Sequence, residues 1–359
     1  HRDLHSFPTR RSSDLYRISR DNFRFARQAG ATHLVLHLVE RVREPRAPQA
    51  DRFCFGQTTA RGRVWSFDEL QGIQRQAREE GLEIEALENI DPSFWYDVLL
   101  DGTRKRPQIE GLKGLLRDMG RLGIPILGYN FSLAGVWGRE DGPVARGGAM
   151  GPAFDQDQLV DTPLPRGMLN NIVYAPDASA GLAGPVDREE LWQRLDFFLR
   201  ELAPVAEAEG VRLAAHPDDP PVADLRHTPR LLYTPDSFQR LLDIVPSRAN
   251  ALEFCVGTVQ EMAGADACAV LDRYCRQQAV AYVHCRNVIG KVPRYAESFI
   301  DEGDVDMLRV LRILRDNRFD GVVIPDHTPQ MSCDAPWHAG MAHALGYLRA
   351  GLAALNACG

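Results

Sequence analysis

Four apolar runs in the second half of the chain end in side chains that can bind a metal ion. In chain order, the closing residues are His216, Cys255, His284 and Asp326. Neutral imidazole, thiolate and carboxylate are ligand types that proteins use for divalent metals. Each of these residues alone is more often structural. Four of them closing four successive runs predict a divalent-metal site.

The spacing of these residues shows how such a site must be built. Intervals of 39, 29 and 42 residues separate them, far longer than the intervals within zinc fingers. The seven cysteines lack CxxC spacing, so neither a disulfide framework nor a four-thiolate zinc site is expected. Tertiary structure must therefore bring the four ligands together.

Seven β-rich apolar runs alternate with amphipathic helical segments, which is typical of βα units around a parallel sheet. The runs cover residues 32–39, 82–88, 125–131, 211–216, 251–257, 280–287 and 321–327. The helical segments cover residues 67–80, 108–122, 188–209, 235–244, 266–277, 305–317 and 340–355. We therefore predict an α/β fold, a (β/α)8 TIM barrel, whose strands deliver the polar residues to one rim.

The beginning of the chain departs from this pattern. Residues 1–15 show no apolar periodicity and resemble translated vector sequence, so we expect a non-native or disordered segment. A helix over residues 19–29 follows without a preceding strand, which predicts that the first strand is missing or replaced. Residues 16–359 are expected to form a single catalytic domain. Residues 138–184, rich in Gly, Pro and Asp, are expected to be a long insertion after strand four that caps the site.

Composition excludes several classes of partner. The formal net charge is −7, and no long Lys/Arg cluster is present, which argues against a nucleic-acid or membrane-surface partner. No stretch approaches the roughly 20 apolar residues of a membrane span, and the start lacks the layout of a secretion signal. We expect a cytoplasmic protein that acts on a small molecule.

Several motifs, in the same order along the chain, resemble the mannonate dehydratase family of the xylose-isomerase-like TIM-barrel superfamily. The resemblance covers roughly residues 20 to 330. Its motifs are Glu88-Asn89-Ile90, Tyr129-Asn130-Phe131, His216-Pro217-Asp218-Asp219-Pro220-Pro221, Glu253-Phe254-Cys255, His284-Cys285-Arg286-Asn287-Val288 and Pro325-Asp326-His327. It implies a hydro-lyase of hexuronate catabolism that converts D-mannonate or a related hexonate to 2-keto-3-deoxygluconate.

The resemblance also implies a metal cofactor. It predicts Mn²⁺, with Fe²⁺, Co²⁺ or Zn²⁺ as alternatives, held by the four residues that close the apolar runs. A sugar acid is the expected partner, and a homo-oligomer is the expected assembly.

Roles for further residues follow from the same resemblance. His327 is expected to be a catalytic acid or base. Substrate contacts are expected from five residues, namely Arg286, Asn287, Asn130, Glu88 and His37. The family follows its Asp-His pair with a Gly-Tyr-Gly stretch whose tyrosine assists proton transfer, and this chain has no tyrosine there. His338 is therefore expected to take the place of that tyrosine.

Two other functions remain open from the sequence. A metal-dependent sugar isomerase or epimerase would use a similar barrel, although such enzymes favour carboxylate-rich sites and Cys255 argues against one. A catalytically inactive barrel that binds sugar acids would fit the loss of strand one. Product analysis separates these alternatives from a dehydratase.

Overall fold

Eight parallel strands form the central sheet. The computed structural model describes residues 12–15, 18–37, 39, 41–42, 54–60, 64–160, 162–175 and 186–357. In the central sheet each strand pairs with the next one along the chain, and the sheet curls until its first and last strands are in contact. The strands are β1 (Ser12–Leu15), β2 (His33–His37), β3 (Glu83–Glu88), β4 (Ile126–Tyr129), β5 (Arg212–Ala215), β6 (Asn250–Cys255), β7 (Val280–His284) and β8 (Val323–Ile324).

The first strand of the barrel is present. β1 runs parallel to β2, with Ser12 opposite His33 and Leu15 opposite Leu36. The first strand is therefore not missing, and these four residues are ordered in the sheet. That the strand is a replacement, and that residues 1–15 are non-native, stay predictions. Backbone N–H and C=O groups alone make such a pairing, so a segment without apolar periodicity can supply it. Residues 1–11 lie outside the described residues.

Ten α-helices occur in the described part of the chain. They are α1 (Arg20–Gln28), α2 (Phe67–Glu79), α3 (Pro92–Leu100), α4 (Lys105–Leu122), α5 (Arg188–Ala208), α6 (Pro235–Ile244), α7 (Val256–Glu261), α8 (Ala267–Arg276), α9 (Met307–Asp316) and α10 (Pro336–Ala357). Of the described helices, none combines the length and the apolar composition that crossing a membrane requires.

Side-chain caps explain where several of these helices begin. The Ser66 hydroxyl accepts a hydrogen bond from the Glu69 N–H, and the Glu69 carboxylate accepts one from the Ser66 N–H, which starts α2. Asp306 starts α9, because its carboxylate accepts hydrogen bonds from the N–H groups of Leu308 and Arg309.

Two apolar layers lie on the two faces of the barrel sheet. A large cluster fills the space between the strands and the surrounding helices and includes Leu112, Leu195 and Val310. A smaller cluster inside the barrel includes Val35 and Ile324. Successive residues of a strand face opposite sides, so the inward-facing positions of every strand lead directly to the rim where the strands end.

A second sheet covers this rim. Its strands, which together we name the capping sheet, are Arg139–Ala145, Ala149–Asp155, Asn287–Lys291 and Arg294–Ser298, paired antiparallel. The first two belong to the predicted insertion after strand four, and the other two follow β7. The capping sheet therefore brings side chains from two distant parts of the chain to the carboxyl ends of the barrel strands.

Candidate metal centre and active site

The inward-facing positions of the strands end in polar residues. On β6, Ala251 lies in the interior apolar cluster, and Glu253 and Cys255 follow it at two-residue steps. On β7, Tyr282 lies in the same cluster, and His284 follows it. Because alternate residues share a face, the alternation that builds the apolar interior also directs these polar side chains to the rim.

The predicted metal ligands come together at this rim. His216, Cys255 and His284 each offer a ligand atom, and these three atoms lie within 4.8 Å of one another. Asp326 approaches the same group, with its Oδ2 3.5 Å from Nδ1 of His284. Nδ1 of His216 lies 2.6 Å from the carbonyl oxygen of Pro217, a contact that fixes the ring. The structure thus gathers all four residues that the sequence singled out.

The donor atoms of this cluster fit a bound cation. Both ring nitrogens of His284 and both carboxylate oxygens of Glu253 are buried without a hydrogen-bond partner. Nε2 of His284 lies 2.9 Å from Oε1 of Glu253, but the contact lacks hydrogen-bond geometry. Buried polar atoms are rarely left unpaired, because their desolvation is costly. A divalent ion could bind one nitrogen of the His284 ring, and its charge would compensate the buried carboxylate of Glu253.

The state of Cys255 also suits a metal. Burial by itself raises the pKa of its thiol, but the nearby Arg286 and His216 hold that pKa well below its usual range. The thiolate is the form that binds metals. Thr258 supports the sulfur as well, because its hydroxyl donates to Sγ at 3.2 Å.

Asp326 and His327 both line the cavity, although successive residues of an extended chain normally face opposite sides. Asp326 has a φ of 63°, in the left-handed region, which interrupts the alternation of sides, so both residues line the cavity. Aspartate adopts this conformation more readily than most residues. Burial lowers the pKa of His327, but the charges of Asp326 and Glu297 raise it above its usual value.

A cavity of about 620 Å³ lies over the cluster. Ligand cavities of small-molecule enzymes typically measure about 300–1,000 Å³. Three of the predicted substrate-binding residues, His37, Glu88 and Asn130, lie on its wall. Nδ1 of His37 is 2.7 Å from the side-chain nitrogen of Asn89, which also lines the cavity. The wall therefore offers several hydrogen-bonding groups to a polyhydroxylated ligand.

Asn287, which we expected to bind substrate, lies outside the described lining of this cavity. Its side-chain nitrogen donates to the carbonyl oxygens of Ile300 and Val305 at 3.1 and 2.9 Å. Its side-chain oxygen accepts from the N–H groups of Val288 and Val305. The amide is thus occupied by backbone groups, and Asn287 anchors the loop between the capping sheet and α9.

Arg286, which we also expected to contact substrate, is surrounded by acidic side chains. Its guanidinium lies 2.9 Å from Asp219, 2.7 Å from Glu261 and 3.0 Å from Glu297. The side chain is only 1% exposed and lies outside the described cavity lining. Arg286 therefore holds three carboxylates together beside the sulfur of Cys255, which is 3.7 Å away.

His338 lies outside the described lining of the cavity, so the structure gives its predicted catalytic role no support. His338 lies in the first turns of α10, on the outer face of the barrel. Its ring packs edge-on against Phe25 of α1, with ring centroids 4.5 Å apart, and against Trp337 at 5.0 Å. These contacts hold the ring of His338 away from the described cavity lining.

Several charged residues of the site were missed from the sequence. Glu253 could have been found, because it precedes Cys255 by two residues and so shares its face. Arg139 and Glu297 gave no such signal, because they reach the site from the capping sheet. Arg139 lines the cavity and contacts Glu297 at 2.9 Å and Asp219 at 3.1 Å.

A barrel that gathers imidazole, thiolate and carboxylate at its carboxyl rim has the architecture of a metal-dependent TIM-barrel enzyme. The model of the D-mannonate dehydratase (UxuA) family matches residues 53–355 of the chain. The chain belongs to this family, whose members are hydro-lyases.

Individual relatives agree with this assignment. A mannonate dehydratase from Streptococcus equi subsp. zooepidemicus is 28% identical over 278 residues, which cover 74% of this chain and 75% of the relative. One from Oceanobacillus iheyensis is 29% identical over 280 residues, which cover 74% and 78%.

Solved structures show the same fold. The mannonate dehydratase of Streptococcus suis serotype 2 matches with a TM-score of 0.78 and 23% identity, over 98% of this chain and 96% of that one. D-psicose 3-epimerase from Clostridium cellulolyticum H10 matches with a TM-score of 0.58 and 12% identity, over 96% and 99%. The same barrel fold is therefore common to proteins of different activity.

Proposed function

We propose that this protein is a mannonate dehydratase that removes water from D-mannonate, or from a related hexonate, to give 2-keto-3-deoxygluconate. The observation that carries the proposal is the meeting of His216, Cys255 and His284 beside a cavity that His327 also lines. This arrangement combines a site for a divalent ion with a group that can transfer protons.

The proposed cofactor is Mn²⁺, with Fe²⁺, Co²⁺ or Zn²⁺ as alternatives that the thiolate of Cys255 would also bind. Its proposed ligands are His216, Cys255, His284 and Asp326. When bound, a divalent ion neutralises the carboxylate of a sugar acid and stabilises the negative charge that develops beside it.

The reaction requires two bonds of the substrate to break. The C2–H bond gives up its proton, its electrons form a C2=C3 double bond, and the C3–O bond breaks with protonation of the departing hydroxide to water. The resulting enol tautomerises to the 2-keto-3-deoxy acid. His327 is the proposed group that exchanges a proton with the reacting centre, because an imidazole can both accept and donate protons near neutral pH.

The cavity wall supplies the proposed substrate contacts. His37, Glu88 and Asn130 present an imidazole, a carboxylate and an amide to the cavity. Hydroxyl groups both donate and accept hydrogen bonds, so this mixture suits a polyol chain. Tyr282 donates to Glu88 at 2.9 Å and thereby holds that carboxylate in position.

A panel of aldonic acids tests the proposal. Protein reconstituted with Mn²⁺ is incubated with each acid, and the products are identified by mass and by an assay for 2-keto-3-deoxy acids. We expect loss of one water from D-mannonate or from a stereoisomer, and no such loss with metal-free protein. A product of unchanged mass would support an isomerase instead. Binding without turnover across the panel in metal-loaded protein would support an inactive barrel.

A further inference from the structure

A buried carboxylate of the capping sheet contacts His327. Glu297 lies in the strand Arg294–Ser298 and is 1% exposed. Its Oε2 lies 2.7 Å from Nδ1 of His327, a close ion-pair contact that lacks hydrogen-bond geometry. We propose that Glu297 is a positioning residue that fixes the orientation and the tautomer of His327 for proton transfer. This inference rests on the proposed dehydratase function and adds a residue to it.

Glu297 is itself held in a defined orientation. Its other oxygen, Oε1, accepts hydrogen bonds from Arg139 at 2.9 Å and from Arg286 at 3.0 Å. Rotation of the carboxylate would break both charge-assisted contacts, which are stronger than hydrogen bonds between neutral groups. Two guanidinium groups on one oxygen therefore leave the other oxygen free to lie beside the imidazole.

The backbone around Glu297 is also held in place. Its strand pairs antiparallel with Asn287–Lys291, so that Glu297 lies opposite Val288. The same strand pairs on its other side with Ala149–Asp155 of the insertion. The capping sheet thus supplies a fixed carboxylate as well as part of the cavity wall.

This contact distinguishes the two nitrogens of the His327 ring. A carboxylate this close to Nδ1 favours a proton on that nitrogen, because its negative charge stabilises the positive end of the N–H bond. Nε2 is the nitrogen left for proton transfer, on a side chain that is 29% exposed and lines the cavity. Nε2 also lies 3.4 Å from Oδ2 of Asp326, so carboxylates restrain the ring on both sides.

Glu297→Gln tests this role, with Glu261→Gln as the matched control. Both glutamates are buried and contact Arg286, at 3.0 and 2.7 Å, but Glu297 is the one that also contacts His327. We expect Glu297→Gln to lower kcat by about 10- to 100-fold with KM and metal content unchanged. Glu261→Gln should lower kcat less. An equal loss of kcat in the two variants would overturn the proposal.

A second comparison asks whether Glu297 acts through His327. If it does, Glu297→Gln costs no further activity in protein that already carries His327→Ala, because the group to be positioned is gone. The same fold-loss in both backgrounds would show that Glu297 acts independently of His327 and would contradict the proposal.

A measurement on the unaltered protein needs neither turnover nor a folded Glu297 variant. In Zn²⁺-loaded protein with ¹⁵N-labelled histidine, the ring signals of His327 are identified by their loss in His327→Ala. We expect Nδ1 to carry a proton, and an unprotonated Nδ1 would overturn the inference. Absence of product from every aldonic acid would contradict the dehydratase proposal and leave this measurement unaffected, so the two failures can be told apart.

Discussion

Gly257 lies directly against the guanidinium of Arg286. A Cβ atom on residue 257 would come within 2.9 Å of both Cζ and Nε of Arg286, closer than side-chain carbons approach other atoms. Arg286 cannot move aside freely, because its contacts with Asp219 and Glu261 at 2.9 and 2.7 Å hold it. Because Gly257 has no side chain, the guanidinium of Arg286 can lie beside Cys255.

Gly257→Ala should destabilise the protein, because the added methyl group must displace Arg286 from its carboxylate partners. Overpacking of this kind costs about 1–3 kcal/mol of unfolding free energy, measured by urea denaturation. The control is Gly111→Ala in α4, where an added Cβ meets nothing within 4 Å. Alanine in a helix interior should raise the unfolding free energy there by about 0.5–1 kcal/mol. Equal effects at both positions would refute the packing role of Gly257.

Cys255→Ala should weaken metal binding, because it removes a thiolate from the cluster with His216 and His284. Loss of a residue that only supports a metal ligand typically weakens metal binding by about 10- to 100-fold. We expect the dissociation constant for Zn²⁺ or Mn²⁺, measured by calorimetry, to rise by at least this factor, because Cys255 is a proposed ligand itself. Cys285→Ala is the control. Cys285 packs in the apolar layer outside the barrel, and burial raises the pKa of its thiol to about 12. A similar loss of affinity in both variants would mean that Cys255 is not a ligand.

His327→Ala should reduce turnover by about 10²- to 10⁴-fold, the usual contribution of general acid–base catalysis, and leave metal content nearly unchanged. His338→Ala should retain activity, because His338 packs against Phe25 on the outer face. Steady-state kinetics and elemental analysis of both variants check this prediction. Loss of metal from His327→Ala would assign His327 a structural role instead.

Removal of residues 1–15 should lower the thermal midpoint of unfolding, because β2 then loses the parallel partner that Ser12–Leu15 provides. Each backbone hydrogen bond lost contributes about 1 kcal/mol. Removal of residues 1–11 keeps this strand and serves as the control. If both truncations left the midpoint unchanged, the strand would contribute nothing to the stability of the barrel.

Much of the barrel could be predicted from the sequence, because its elements are encoded locally. The seven predicted apolar runs coincide with β2 to β8. His216, Cys255, His284 and Asp326 could be singled out because each closes such a run, and parallel strands end at one rim. The first strand could not be recognised, since Ser12–Leu15 joins the sheet through backbone groups that any sequence possesses.

Beyond the strand ends, only the tertiary structure decided what each polar residue does. Arg286 and Asn287 come directly after β7, a position at which catalytic residues of such barrels often lie. Their side chains are nevertheless held by partners from other segments and do not line the described cavity. Glu297 reaches His327 from an antiparallel strand that no strand-end pattern predicts. The physical reason is that periodicity determines which face of a strand a side chain occupies, whereas the groups that pack against that side chain are contributed by distant parts of the chain.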